Sequence, residues 1–216
     1  AKEHVLLLRE KIAKSFGQLP ERTPLKAETV GVIDRDGYTI EKVIFESRPG
    51  FKVTGNLYLP KNVEFPRPGV LGLCGHHSKG KADEIYHAFS LGLVKKGYVV
   101  FTHDTIGIGE RAQDDVAADQ HIYYGSQQML VGENQQVWQT WDAIRALDYL
   151  LSRPEVDPKY IGSTGNSGGG YITSYLSALD DRLTMVAPSC WLSTFKRILE
   201  NEHCHCIENF PSRMYS

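Results

Sequence analysis

Apolar residues along this chain first recur at helical spacing, then form short β-type runs, and then alternate between the two; each regime predicts its own elements. Over residues 4–16, Val5, Leu6, Leu8, Ile12 and Phe16 share a partly apolar face, which predicts a leading helix ended by Gly17 and Pro20 and packed on the outside of the domain. Residues 29–33, 38–46 and 51–59 are β-branched and aromatic runs separated by the turn signals Asp36-Gly37 and Pro49-Gly50, so they predict antiparallel strands. After a linker over residues 60–68 the pattern becomes strand, helix, strand. Residues 69–74 read as a buried-type strand, 83–96 as a helix and 98–103 as a strand. Residues 137–151 read as a helix with Val137, Trp141, Ile144, Leu147 and Leu151 on one face, and 161–164 and 183–187 as further strands. This succession implies a parallel sheet with right-handed crossovers and a ligand site at the carboxyl ends of its strands. Between residues 107 and 132 lies a polar stretch without clear period. It predicts a loop or lid insertion over residues 105–133 on that same face, read more readily as solvated than as touching substrate.

The strongest chemical signal follows the 161–164 strand. Ser163-Thr164-Gly165-Asn166-Ser167-Gly168-Gly169-Gly170 contains the pattern G-x-S-x-G from Gly165 to Gly169. Upstream, residues 156–162 give a turn and a short β-type run; downstream, Tyr171, Ile172, Tyr175, Leu176 and Leu179 recur at helical spacing. A serine at such a strand-to-helix bend is pushed out of the sheet, and the N–H of Gly168 then faces the place where an oxyanion would develop. The flanking glycines are expected where a side chain would strike the neighbouring strand or need a positive φ. A plain helix start or a phosphate-binding loop satisfies the same short pattern, but the order of strand, elbow and helix favours a nucleophile.

Composition narrows the partners. A net charge of −2 with 23% charged residues gives no broad electrostatic reason to expect nucleic acid or an anionic membrane, and a small or neutral ligand fits better. No apolar run reaches the length of a membrane span and no signal peptide is visible; the sequence starts at Ala1, and a cytoplasmic, periplasmic or secreted setting is compatible with it. The length predicts a single domain over residues 1–216, with residues 1–20 as a helical extension. Cys74, Cys190, Cys204 and Cys206 do not read as a disulfide framework and are expected as free thiols. His203-Cys204-His205-Cys206 invites a metal reading, but in a strand these residues alternate faces and no second pair has zinc-site spacing, so a structural segment without metal is expected. Gly107-Ile108-Gly109-Glu110-Arg111-Ala112 fits a dinucleotide fingerprint poorly, because Gln113-Asp114-Asp115 follows in place of an apolar helix face; no cofactor is expected.

The run from Pro154 to Gly162 followed by Gly165-Asn166-Ser167-Gly168-Gly169 resembles the α/β-hydrolase superfamily, specifically its acetyl xylan esterase-like branch. Asp36-Gly37-Tyr38 with Phe45-Glu46-Ser47-Arg48-Pro49-Gly50, Asn56-Leu57-Tyr58-Leu59-Pro60, and Asp104-Thr105-Ile106-Gly107-Ile108-Gly109-Glu110-Arg111 resemble the same branch, so the similarity runs over most of the chain. The resemblance implies an α/β fold: a mostly parallel sheet with antiparallel N-terminal strands and helices on both faces. It also implies a serine-dependent carboxylic ester hydrolase that deacetylates carbohydrate or similar small esters through an acyl-enzyme on Ser167, with no cofactor and no metal. In that branch a His-Gly turn follows the strand that ends here at Cys74, and the next backbone N–H is the second oxyanion donor. Cys74 stands where that histidine would be, and His76 of Gly75-His76-His77 takes the donor position. Two backbone donors aimed at one oxygen each lower the barrier by roughly 3 kcal/mol. His77 and Asp104 also fall at strand ends and are candidate lining residues of the substrate site, although Asp104 reads more readily as a residue that ties down its loop.

The superfamily also needs an acid and then a histidine after the serine, to hold and accept the proton. Forty-nine residues follow Ser167; at roughly 30 residues per strand-helix-strand unit they hold the elbow helix, one strand and little more. Asp180 and Asp181 lie at the far end of the elbow helix, about 18 Å from its start at about 1.5 Å per residue. The sequence thus departs from the family pattern and is expected to be C-terminally truncated relative to it. That makes it a fragment of a longer enzyme, a chain complemented by a second polypeptide, or one that recruits a base among His76, His77, His103, His203 and His205. An exposed 183–187 edge strand then predicts a homo-oligomer or a complementing chain. The rival readings are a catalytically incompetent interaction module and a serine peptidase of the same fold.

Overall fold

The computed structural model describes residues 2–113 and 120–200. Its elements run α1 (Lys2–Phe16), β1 (Glu28–Arg35), β2 (Tyr38–Arg48), β3 (Phe51–Pro60), β4 (Arg67–Leu73), α2 (Glu84–Val94), β5 (Val99–His103), α3 (Gln120–Leu130), α4 (Gln135–Leu151), β6 (Val156–Asn166), α5 (Gly168–Leu179), β7 (Met185–Ser189) and α6 (Phe195–Glu200). Asp36-Gly37 and Pro49-Gly50 turn the β1–β2 and β2–β3 hairpins, with Arg35 opposite Tyr38 and Arg48 opposite Phe51. The strands form one sheet in the order β1-β2-β3-β5-β4-β6-β7. Pairing is antiparallel from β1 through β3 to β5, and parallel across β5–β4, β4–β6 and β6–β7.

The parallel part carries the core. Every residue of β5 is buried, as a strand covered on both faces must be. One face of the sheet packs Leu71, Leu73 and Phe101 against Trp141, Ile144 and Leu147 of α4 and Tyr171, Ile172 and Leu176 of α5. The other face packs Tyr58 and Val100 against Val94 of α2. The leading helix α1 docks on α5 and adds Phe16 to this core, with the rings of Phe16 and Tyr175 5.1 Å apart and Arg9 donating to the Ser177 carbonyl at 3.0 Å.

One expectation needs correction. Residues 105–133 are not simply a loop: within them stand a single 3-10 turn, Gly109–Arg111, and the helix α3. The end of α3 is largely solvated, with Met129 and Leu130 exposed, so no buried stripe marks its period in the sequence. Cys74 and Cys190 are free thiols. His203, Cys204, His205 and Cys206 lie outside the described residues, and among the described residues no helix is long and apolar enough to cross a membrane.

Candidate active site

The ends of β4, β6 and β7 meet around Ser167. β6 brings its peptide to the rim of the sheet, α5 starts at Gly168, and between them Ser167 adopts φ 54° and ψ −115°, a conformation costly for a residue with a Cβ. The bend is held by neighbours. The Ser167 N–H donates to the Ser189 carbonyl at the end of β7 (2.9 Å), and Tyr171 N–H donates to the Ser167 carbonyl (3.1 Å). Ser189 Oγ also donates to Asn166 Oδ1 at 3.2 Å. Ser167 is half-buried, and among the described residues nothing hydrogen-bonds its Oγ.

The glycines around it are there for space. A Cβ at Gly169 would sit 2.0 Å from the Leu73 carbonyl oxygen, and one at Gly165 would sit 2.5 Å from the Gly169 backbone, so α5 can enter over β4 only without side chains at these points. Neither glycine needs a positive φ; the strained residue is the serine itself.

The turn after β4 abuts the start of α5. A Cβ at Gly75 would lie 3.4 Å from Gly168 N, and one at Gly168 would lie 3.0 Å from Cε1 and 3.1 Å from Nε2 of the His76 ring. Gly168 N–H is the first amide of α5 and so has no acceptor within its own helix. The turn is braced by Tyr86, whose hydroxyl oxygen accepts from Gly75 N–H at 2.5 Å. Burial pushes the Tyr86 pKa up to about 12, which keeps that hydroxyl protonated. Burial, reinforced by the Asp104 charge, pushes the Cys74 thiol well up, so it stays neutral and is no rival nucleophile.

The remaining candidates separate. His77 is partly exposed and faces Asp83, with Nδ1 and Oδ2 3.4 Å apart, and its ring stands edge-on to Tyr86 at 5.6 Å. Asp104 is wholly buried and both its carboxylate oxygens are engaged, by Thr54, Lys81 and Glu110. It therefore ties a loop and does not line a substrate site. His103 is wholly buried too. Its Nδ1 lies 3.1 Å from the Asp104 carbonyl, among the described residues its Nε2 has no partner, and burial lowers its pKa; it is removed from the candidate bases. Asp180 is spoken for by Arg182 at the end of α5. Among the described residues no group of histidine, cysteine and carboxylate side chains could hold a metal ion. What the sequence did not single out is the Ser189 carbonyl, a backbone partner that side-chain chemistry cannot reveal.

A mixed sheet whose parallel strands end at a strained serine elbow, with helices on both faces, defines the α/β-hydrolase fold. The family profile for acetyl xylan esterase (AXE1) matches residues 30–208, and the chain belongs to that family. It is 30% identical over 192 residues to YtaP of Bacillus subtilis (strain 168), covering 84% of this chain and 62% of that protein. Among solved structures it resembles methylesterase BT1017, with a TM-score of 0.75, 26% identity, and coverage of 97% of this chain and 45% of that one. It also resembles an acetyl xylan esterase from Paenibacillus sp. R4, with a TM-score of 0.69, 23% identity, and coverage of 94% of this chain and 66% of the other. The chain thus spans between about half and two thirds of the length of these proteins.

Proposed function

We propose that this chain carries the nucleophile of a serine-dependent ester hydrolase acting on acetylated carbohydrate or similar small esters. Ser167 Oγ attacks the ester carbonyl, the N–H groups of Gly168 and His76 hold the oxyanion, and water releases the acyl group from the serine. The observation that carries this is the backbone of Ser167: a serine held at φ 54° between a parallel strand and a helix, with no partner for its Oγ among the described residues, is a strain that a plain turn would have no use for. The contact between the Gly75-His76 turn and Gly168 supports the donor pair.

Activation of Ser167 needs a histidine within reach of Oγ. Among the described residues nothing hydrogen-bonds that Oγ, so the reading draws its histidine from outside them: His203, His205, a longer chain or a complementing polypeptide. That same observation favours a second reading, an incompetent module that binds without turnover.

An organophosphonate separates the two. Under the first reading, mass spectrometry finds the adduct on Ser167, and Ser167→Ala loses p-nitrophenyl acetate hydrolysis by at least roughly a thousandfold. Label on another serine, or turnover that survives Ser167→Ala, sinks the first reading; absence of any label favours the second.

A further inference from the structure

The turn that bears His76 is held from the end of another strand. Asp104 follows β5 and is wholly buried. Its Oδ1 accepts from Lys81 N–H at 2.8 Å, and its Oδ2 accepts from Thr54 Oγ1 at 2.7 Å and Glu110 N–H at 3.3 Å. The buried Lys81 ammonium bonds Asp104 Oδ2 and the Glu110 carboxylate. The Asp104 main chain is fixed as well: its N–H donates to the Thr54 carbonyl (3.0 Å), and its carbonyl accepts from Arg111 (3.1 Å), which also bonds Asp142 on α4 (2.7 Å). Two glycines in left-handed conformations make room for the carboxylate. A Cβ at Gly80 (φ 53°) or Gly109 (φ 61°) would fall 2.1 or 2.4 Å from Oδ1.

From this clasp a chain of main-chain bonds leads to His76. Gly109 N–H donates to the Ser78 carbonyl at 3.2 Å, Gly80 N–H to the His77 carbonyl at 2.8 Å, and His77 N–H to the Gly75 carbonyl at 3.0 Å. Tyr86 secures the other side at Gly75. The His76 peptide is therefore bracketed by fixed neighbours. A buried ion pair adds little to stability compared with apolar residues of the same volume, but its directional bonds specify one arrangement. An oxyanion donor must be held to a few tenths of an ångström, which is what such bonds supply.

We infer that Asp104, with Lys81 as its counter-ion, is a positioning residue for ester hydrolysis, acting through the 75–81 turn to aim the His76 N–H beside that of Gly168. The inference rests on the serine-hydrolase reading of Ser167.

The test compares the wild-type chain with Asp104→Asn, Lys81→Met and Arg182→Ala, the last a control whose ion pairs with Asp148 and Asp180 lie at the opposite end of α5. Two quantities are read: kcat and KM for p-nitrophenyl acetate, and residue-resolved amide hydrogen exchange. Asp104→Asn and Lys81→Met are expected to lower kcat roughly tenfold to a hundredfold while KM moves less than about twofold. Exchange over residues 75–81 accelerates at least about tenfold, with β6 and α5 unchanged. Arg182→Ala lowers Tm but keeps kcat within about twofold of wild type. The inference is overturned if kcat survives in both clasp variants, if the control loses as much, or if exchange quickens throughout the sheet. Should Asp104→Asn not fold, Lys81→Met, which keeps the main-chain bonds, decides. Should the wild-type protein, assayed together with the rest of its enzyme or its complementing chain, neither hydrolyse the ester nor take phosphonate at Ser167, the serine reading ends and the positioning role with it. Exchange that stays unchanged in an active protein ends the positioning role alone.

Discussion

Ser167 carries a backbone that its own side chain disfavours, and removing the side chain should repay the strain. With φ at 54° and ψ at −115°, Ser167→Gly is expected to gain roughly 1 kcal/mol of stability while losing all phosphonate labelling. Chemical denaturation compared with wild type measures the gain, and a destabilised glycine variant would mean the bend is not strained. The residue pattern made the elbow legible because the four small residues after Asn166 have no other economical use. It could not tell which of them bears the strain: a positive φ suits glycine on sequence grounds, whereas here the glycines yield space and the serine takes the dihedral.

Among the elements, β5 buries two polar side chains, Thr102 and His103, beside its apolar residues. Burial lowers the pKa of His103, whose surroundings include the Asp104 carbonyl, Asp142 and Arg111. A histidine with a depressed folded-state pKa binds fewer protons folded than unfolded. Its contribution to stability is then complete above the unfolded value of about 6.5 and is lost as pH falls through the folded one. Urea midpoints measured from pH 7.5 down to 5 should drop for the wild-type chain and drop less for His103→Gln; parallel curves would remove His103 as the cause. Strand β5 was plain in the sequence as an apolar run, as were α4 and α5, because their buried faces impose a period. Helix α3 was not, since its exposed end repeats nothing, and Leu130 is 88% exposed. Asp104 showed the same limit from the other side. A lone aspartate after a strand suggests a loop tie, but Lys81 and Thr54 come from distant stretches and only the folded chain brings them to it.

At the scale of the molecule, β7 is the edge of the sheet among the described residues. Among the described residues nothing pairs with the outer side of β7, where Met185 is 73% exposed and Val186 and Leu192 are also open to solvent. Beside this edge an apolar cavity of about 200 Å³ lies between α2 and the ends of β4, β6 and β7, lined by Leu73, Ile85, Tyr86 and Phe89. Such an edge pairs readily with another strand. We propose that this chain self-associates through the edge, and light scattering is then expected to give a mass above 24.3 kDa that falls back when Met185 and Val186 are both replaced by lysine. A monomer at all concentrations would count against this.

The hydrogen bond from Ser167 to Ser189 links that rim to the serine elbow. The Ser167 amide leans on the last carbonyl of β7, so any polypeptide that zips along β7 also stiffens or shifts the support under the proposed nucleophile. On the proposed reading, strand addition at β7 and the chemistry at Ser167 would converge on a single peptide group.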